Sequence, residues 1–174
     1  NGVAMKHGQV SRSMFPGYPI QSITNGVHAT TWAAPSFQDL YDRHLPEWRR
    51  DALSLRYAVG IPTDEIWDAH RAAKRALIDH VNHEPNAGFD CDVLTVGFAR
   101  RAPAYKRFLL LFHDLGRLVR VVGEGGPVQF VFAGKAHPLD SEGKAVIRRL
   151  HEVRDVLRGK VGVAYLANHD MALA

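Results

Sequence analysis

A group of basic residues is the part of this 174-residue sequence with the clearest capacity for chemistry. Arg100 and Arg101 are adjacent, and after a gap of three residues they are followed by Tyr105, Lys106 and Arg107. Arginine offers a planar fork of hydrogen-bond donors and lysine a point charge, and the two together are common around phosphate. The group therefore predicts a phosphate-binding site, with a basic loop exposed to solvent as the open alternative.

The elements on either side decide where these basic residues would lie. Asp92–Phe98 has the pattern of a buried strand, and Pro103–Val119 has that of a helix. Because proline suits the first turn of a helix, Lys106 and Arg107 would lie near the helix N-terminus. Cations are disfavoured there by about 0.3–1 kcal/mol each, and the first amides of the helix need an acceptor. A bound anion would remove both costs, which favours the phosphate site.

The rest of the second half continues this alternation of strands and helices. Val128–Ala133 is a predicted strand, Asp140–Leu157 a helix and Val161–Leu166 a third strand. Such spacing indicates βαβ units in a doubly wound parallel sheet, and hence the α/β class. Ligands of these sheets bind where the strands end. The loops at that edge are Ala99–Ala102, Gly134–Pro138 and Ala167–Asp170.

The first part of the chain has a different composition. Residues 1–60 are rich in glycine, proline, serine and threonine, which predicts short helices between turns, one of them over Ala34–Leu45. A long helix is predicted from Pro62, with Thr63 as its N-cap. Its apolar residues recur every three to four positions, which indicates one face packed against a core. These residues are Ile66, Ala69, Ala73, Leu77 and Val81.

Composition limits the classes of function. Hydrophobic residues make up 46% and charged residues 23% of the chain, as in ordinary globular proteins. A net charge of +4 without interleaved aromatic residues favours small anionic ligands over nucleic acid. We expect no membrane partner, since no apolar run approaches about 20 residues. The single cysteine, Cys91, forms no internal disulfide, which suits a cytoplasmic location. The ten histidines form no metal-binding motif, so no metal is predicted.

Four motifs, in order along the chain, resemble those of the α-glucan (glycogen, starch and maltodextrin) phosphorylases, most closely the shorter bacterial type. They are N-G-V-A-M-K-H-G from Asn1, T-N-G-V-H-A-T-T-W from Thr24, G-F-A-R-R-A-P-A-Y-K-R from Gly97 and F-A-G-K-A-H-P from Phe132. The resemblance implies an internal fragment of a two-domain, glycosyltransferase-B type enzyme. Residues 1–60 would end the N-terminal domain and carry an active-site segment. Residues 61–88 would form the interdomain helix, and residues 89–174 the first half of a C-terminal Rossmann-like domain.

The resemblance also implies roles for the basic residues. By position in the motif, Arg101 and Lys106 would bind the reactive phosphate, as the catalytic pair. Arg100 would lie near the phosphate of a pyridoxal 5′-phosphate cofactor, whose Schiff-base lysine lies beyond residue 174 in the family. His169 stands where the family usually has a tyrosine next to this cofactor, and it is the second predicted cofactor contact.

Three further residues are predicted to bind substrate. The resemblance implies that Asn25 contacts the terminal glucosyl unit, and that Tyr105 and Lys135 belong to the substrate site. From the residues alone, a turn role in Asn-Gly is favoured for Asn25, and Lys135 is equally a solvated lysine after a strand.

The implied function is reversible phosphorolysis of terminal α-1,4-linked glucose to glucose 1-phosphate, with glucan and inorganic phosphate as partners and a homo-oligomer as a possible assembly. Two alternatives stay open. One is a nucleotide-sugar-dependent α-glucan synthase, against which the T-N-G…W and Y-K-R motifs argue. The other is a catalytically incomplete fragment.

Overall fold

The protein is described from a computed structural model, which covers residues 1–83, 87–100, 106–168 and 170. The helices are α1 (Met5–Met14), α2 (Ala29–Trp32), α3 (Pro35–His44), α4 (Thr63–His83), α5 (Leu115–Gly125) and α6 (Ser141–Leu157). Two 3-10 segments cover Ala52–Gly60 and Leu110–Phe112. The strands are β1 (Leu94–Ala99), β2 (Val128–Ala133) and β3 (Gly162–Leu166). Within the described residues the strands form a parallel sheet in the order β1-β2-β3, which confirms the predicted α/β class.

The two faces of the sheet are covered by different helices. Phe98, Phe132 and Tyr165 are register partners, so their side chains share one face. This α5–α6 face packs against both crossover helices, as βαβ units require. Its buried members are Phe108, Phe112, Val122, Phe130, Phe132, Leu150, Val153, Leu157, Val161 and Val163. A continuous apolar cluster of this kind explains why β2 and α6 formed where the sequence predicted them.

Helix α4 joins the sheet to the N-terminal part of the chain. Near its C-terminus, Ile78 and Val81 are buried against the opposite face of the sheet, here called the α4 face. Nearer its N-terminus, Ala69 belongs to a separate N-terminal cluster. That cluster consists of Leu40, Leu45, Trp48, Ile61 and Ala69. The apolar residues of α4 are thus divided between two hydrophobic clusters. Ile78, which was not among the predicted apolar positions, is one of the most buried residues of the helix.

Polar contacts fix the amino edge of the sheet. Gln129 is buried in β2, and its side chain donates to the Asp90 carbonyl at 2.7 Å and to Thr95 Oγ1 at 2.8 Å. Its Oε1 accepts from the Asp90 N–H at 3.1 Å. All hydrogen-bonding groups of this buried amide are therefore satisfied, and the turn before β1 is tied to β2.

Three sequence predictions need correction. The helix predicted over Pro103–Val119 is confirmed only from Leu115 onward. Asp114 caps the helix that begins there, with Asp114 Oδ1 accepting from the Arg117 N–H at 2.8 Å. The strand predicted over Asp92–Phe98 begins at Leu94, after a turn. That strand is also partly exposed rather than buried, since β1 lies at the edge of the described sheet.

The third correction concerns Thr63, which is the first residue of α4 and not its N-cap. The predictions for α3, β2, α6 and β3 are confirmed to within one residue at each end.

Candidate functional site

The three strands end at one edge of the sheet. Ala99, Ala133 and Leu166 are register partners, so the loops that follow them begin side by side. The ladder extends one residue further, because the Arg100 N–H donates to the Ala133 carbonyl at 2.9 Å. In the same way, the Gly134 N–H donates to the Leu166 carbonyl at 3.4 Å. This carboxyl edge is where parallel α/β sheets bind ligands.

Basic side chains lie at this edge. Arg100 and Lys135 are exposed, and neither forms an ion pair with a carboxylate of the described residues. Lys106 is half-buried and lies a few residues after β1. Exposed cations such as Arg100 and Lys135 attract anions, so the edge is suited to a phosphate group. The other predicted site residues, Arg101, Tyr105 and His169, lie outside the described residues.

The helix start predicted at Pro103 lies outside the described residues, and the first α-helix described after β1 is α5. Residue Lys106 is followed by Arg107, whose φ of 53° is left-handed, and α5 begins at Leu115. At that helix N-terminus the Asp114 carboxylate already accepts a backbone N–H. A helix capped by its own carboxylate is a poor anion site.

The loop after β2 is anchored at both ends. At its start, the Tyr165 hydroxyl donates to the Gly134 carbonyl. At its end, Lys144 Nζ donates to the Pro138 carbonyl at 2.5 Å, and the Asp140 N–H donates to the His137 carbonyl at 2.8 Å. The segment that carries Lys135 thus has a defined path between two fixed points.

The Tyr165 side chain lies among apolar neighbours. The ring centroids of Tyr165 and His151 are 5.4 Å apart, and the ring planes meet at 76° in an edge-to-face arrangement. Burial raises the pKa of the Tyr165 hydroxyl, and burial, with a smaller effect of Arg154, lowers the pKa of His151. Both shifts favour the neutral forms, so at neutral pH the Tyr165 hydroxyl keeps its proton and can donate it in a hydrogen bond.

Asn25 lies in the N-terminal segment. It is exposed, and its backbone N–H donates to the Val3 carbonyl at 3.4 Å, next to the bridge between Gly2 and Ser22. The described contacts tie Asn25 to this segment and not to the sheet. Its role toward a sugar stays a prediction.

A groove of about 1310 Å³ separates α4 from β1. Trp67 stacks on His70 along its wall at 5.2 Å, and Lys74 Nζ donates to the Val93 carbonyl at 2.8 Å. Cys91 is half-buried in this wall. The groove was not predicted from the sequence, because only the apolar stripe of α4 was considered there. The spacing of Trp67, His70 and Lys74 by three and four positions was a readable signal of a second face.

None of the helices among the described residues is both long and apolar enough to cross a membrane. Among the same residues, no group of three or more His, Cys, Asp or Glu side chains is placed to hold a metal ion.

Similarity to characterised proteins extends over the entire chain. It is 36% identical to a glycogen phosphorylase of Mycobacterium bovis, 35% to one of Aquifex aeolicus and 34% to a maltodextrin phosphorylase of Thermococcus litoralis. Each comparison covers 100% of this chain and respectively 23%, 29% and 24% of the relative. The chain belongs to the α-glucan phosphorylase family. No family model matches it.

This phosphorylase segment spans about a quarter of the length of the relatives it matches. Within it, the sheet is consistent with a Rossmann-like part of a glycosyltransferase-B type phosphorylase. Its described part contains the ends of three parallel strands and the cations Arg100, Lys106 and Lys135 that follow two of them.

Proposed function

We propose that the full-length protein containing this chain carries out reversible phosphorolysis of terminal α-1,4-linked glucose, giving glucose 1-phosphate with retention of configuration. One observation carries the proposal: the similarity of the entire chain to proteins named glycogen phosphorylase or maltodextrin phosphorylase, at 34–36% identity. Its partners are then an α-1,4-glucan and inorganic phosphate. We place the protein in the cytoplasm, as a homo-oligomer.

The proposed phosphate site is built from Arg101 and Lys106. Arginine would bind two phosphate oxygens through its fork, and lysine a third through its point charge. Held there, the phosphate would be aligned with the anomeric carbon, and the two cations would offset negative charge as the glycosidic bond breaks. The half-buried position of Lys106 supports this role, since partial removal from water strengthens its interaction with an anion.

The family implies pyridoxal 5′-phosphate as cofactor, and the residues of the carboxyl edge fit its phosphate group. Arg100 has a fixed backbone, an exposed side chain and no described carboxylate partner, which suits an anion. When bound, the cofactor would supply a phosphate group that exchanges a proton with the substrate phosphate. Arg100 and His169 are the residues of this chain that we propose to hold it.

We propose that Asn25, Tyr105 and Lys135 contact the substrates, Asn25 through a hydrogen bond to the glucosyl unit. This assigns residues 1–60 to the end of an N-terminal domain and residues 61–88 to the interdomain helix. Residues 89–174 then begin the C-terminal Rossmann-like domain. The separate N-terminal cluster and the sheet, joined by α4, support this division.

Purified full-length protein tests the proposal directly. Incubated with maltoheptaose and inorganic phosphate, it should release glucose 1-phosphate, and it should extend maltoheptaose when given glucose 1-phosphate. ADP-glucose is the matched donor for the alternative synthase. Extension from ADP-glucose, with no product from glucose 1-phosphate, would replace phosphorolysis by synthase activity.

A further inference from the structure

One hydrogen bond reaches across the carboxyl edge to the loop that carries Lys135. The Tyr165 hydroxyl, on β3, donates to the carbonyl of Gly134, the first residue after β2. The N–H of the same glycine donates to the carbonyl of Leu166, also on β3, at 3.4 Å. Two consecutive residues of β3 therefore hold both backbone polar groups of Gly134.

Fixing Gly134 fixes the start of the loop. The peptide between Gly134 and Lys135 is planar, so orienting the carbonyl also orients the Lys135 N–H and the direction in which the chain leaves. Gly134 has a φ of 155°, which glycine adopts more readily than residues with a Cβ. Without the contacts from β3, such a glycine would be free to take other conformations.

The surroundings of Tyr165 suit a permanent donor. Its ring belongs to the α5–α6 face and packs edge-on against His151, so the side chain has little freedom to turn away. Its hydroxyl is protonated at neutral pH, as described above. Removing the oxygen alone would leave this packing in place, which makes phenylalanine an informative replacement.

We propose that Tyr165 is a positioning residue, which holds the Gly134–Pro138 loop so that Lys135 faces an anion bound at the carboxyl edge. The inference rests on the proposed function for the identity of that anion, the substrate phosphate. The anchor at Pro138 fixes the far end of the loop, so Tyr165 sets the near end.

Tyr165→Phe in the full-length protein tests the positioning by itself. Hydrogen exchange in the Gly134–Pro138 segment should be about 2- to 10-fold faster, the range for one lost hydrogen bond. Tyr41→Phe is the matched control, because Tyr41 is also half-buried but its hydroxyl bonds to no described residue. Unchanged exchange in Tyr165→Phe would overturn the inference, whatever the enzyme's activity.

Binding of inorganic phosphate, measured by calorimetry, tests the link to Lys135. Tyr165→Phe should raise the Kd for phosphate about 2- to 10-fold and leave binding of maltoheptaose unchanged. Lys135→Ala should also raise the phosphate Kd, and the double variant should be no worse than Lys135→Ala alone. A purely structural role predicts a lowered Tm with unchanged phosphate Kd.

The outcomes separate the two proposals. Additive effects of Tyr165→Phe and Lys135→Ala, or an unchanged phosphate Kd, would overturn the positioning of Lys135. Absence of glucose 1-phosphate formation by the wild-type protein would overturn the proposed function, while exchange and phosphate binding would still decide the role of Tyr165.

Discussion

The α/β part of the chain and its first 28 residues differ in how they are held. Around the sheet, strands and helices bury two apolar clusters, one on each face. In residues 1–28, the buried positions are Gly2 and Gly8. Most large apolar side chains of that segment are exposed, namely Val3, Met5, Val10, Met14, Phe15, Tyr18, Ile23 and Val27. Apolar burial therefore stabilises the sheet, whereas backbone and polar contacts hold the first segment.

This difference has a consequence for function. A sheet with its own core can hold Arg100 and Lys135 in place at its carboxyl edge. The segment with Asn25 has its apolar groups available for contact with other surfaces, and its described contacts are local. We therefore expect residues 1–28 to exchange their amide protons faster than the sheet.

Two isoleucines, one in each region, give the largest expected difference in the free energy of unfolding when they are replaced by alanine. Ile78 is 1% exposed on the α4 face, and Ile23 is 60% exposed in the first segment. Ile78→Ala should lower the free energy of unfolding by about 2–5 kcal/mol through lost burial and the cavity left behind. Ile23→Ala should change it by less than about 0.5 kcal/mol. Urea unfolding of both variants checks this, and equal losses would remove the distinction between the two regions.

Removing the capping aspartates of a helix and of a 3-10 segment should give a smaller difference in unfolding free energy. Asp140 caps α6, and its Oδ1 accepts from the Gly143 N–H at 2.8 Å. Asp140→Ala should cost about 0.5–2 kcal/mol of unfolding free energy. Asp51 makes the corresponding contact with the Leu53 N–H at 2.9 Å, at a 3-10 segment without buried residues. Asp51→Ala should therefore cost less. If the two costs were equal, the cap and not the packing of the helix would set the effect.

The ion pair between Asp42 and Arg49, on the surface beside the N-terminal cluster, gives the smallest expected effect on stability. Hydrogen bonds from Arg49 and then Trp48 lower the pKa of Asp42 to about 2. Because the pKa of a free aspartate is about 3.9, the stabilisation is complete above that pH and is lost as the pH falls toward 2. The stability difference between wild type and Asp42→Asn should shrink over this range. Carbon NMR of the Asp42 carboxyl should show a midpoint near 2, and a midpoint near 4 would contradict the pairing.

The parts of the fold that the sequence predicted are those with a complete local pattern. Strand β2 and helix α6 have buried apolar residues at their characteristic period, and both were placed to within one residue. Helix α5 was misplaced because Pro103 was given more weight than Asp114, although an aspartate before Leu115 is itself a start signal. The exposure of β1 depends on its position at the edge of the described sheet, and the residue pattern of one strand does not reveal where that strand lies in the sheet.

The candidate site was predictable only in part. The carboxyl edge follows from strand order, so the positions of Arg100 and Lys135 could be expected. The hydrogen bond from Tyr165 to Gly134 could not be predicted. It joins residues 31 apart in the sequence, and Tyr165 looks like any other strand residue in the sequence. The groove beside Trp67 likewise arises from the packing of α4 next to β1.

The most direct test of the account is the kinetics of Lys106→Ala in the full-length protein. We predict that KM for inorganic phosphate rises at least about 10-fold, as for a lost hydrogen bond to a charged group, while KM for maltoheptaose changes by less than about 2-fold. Lys160→Ala, at the opposite edge of the sheet before β3, is the matched control and should behave as wild type. An unchanged KM for phosphate in Lys106→Ala would contradict the phosphate site at the carboxyl edge.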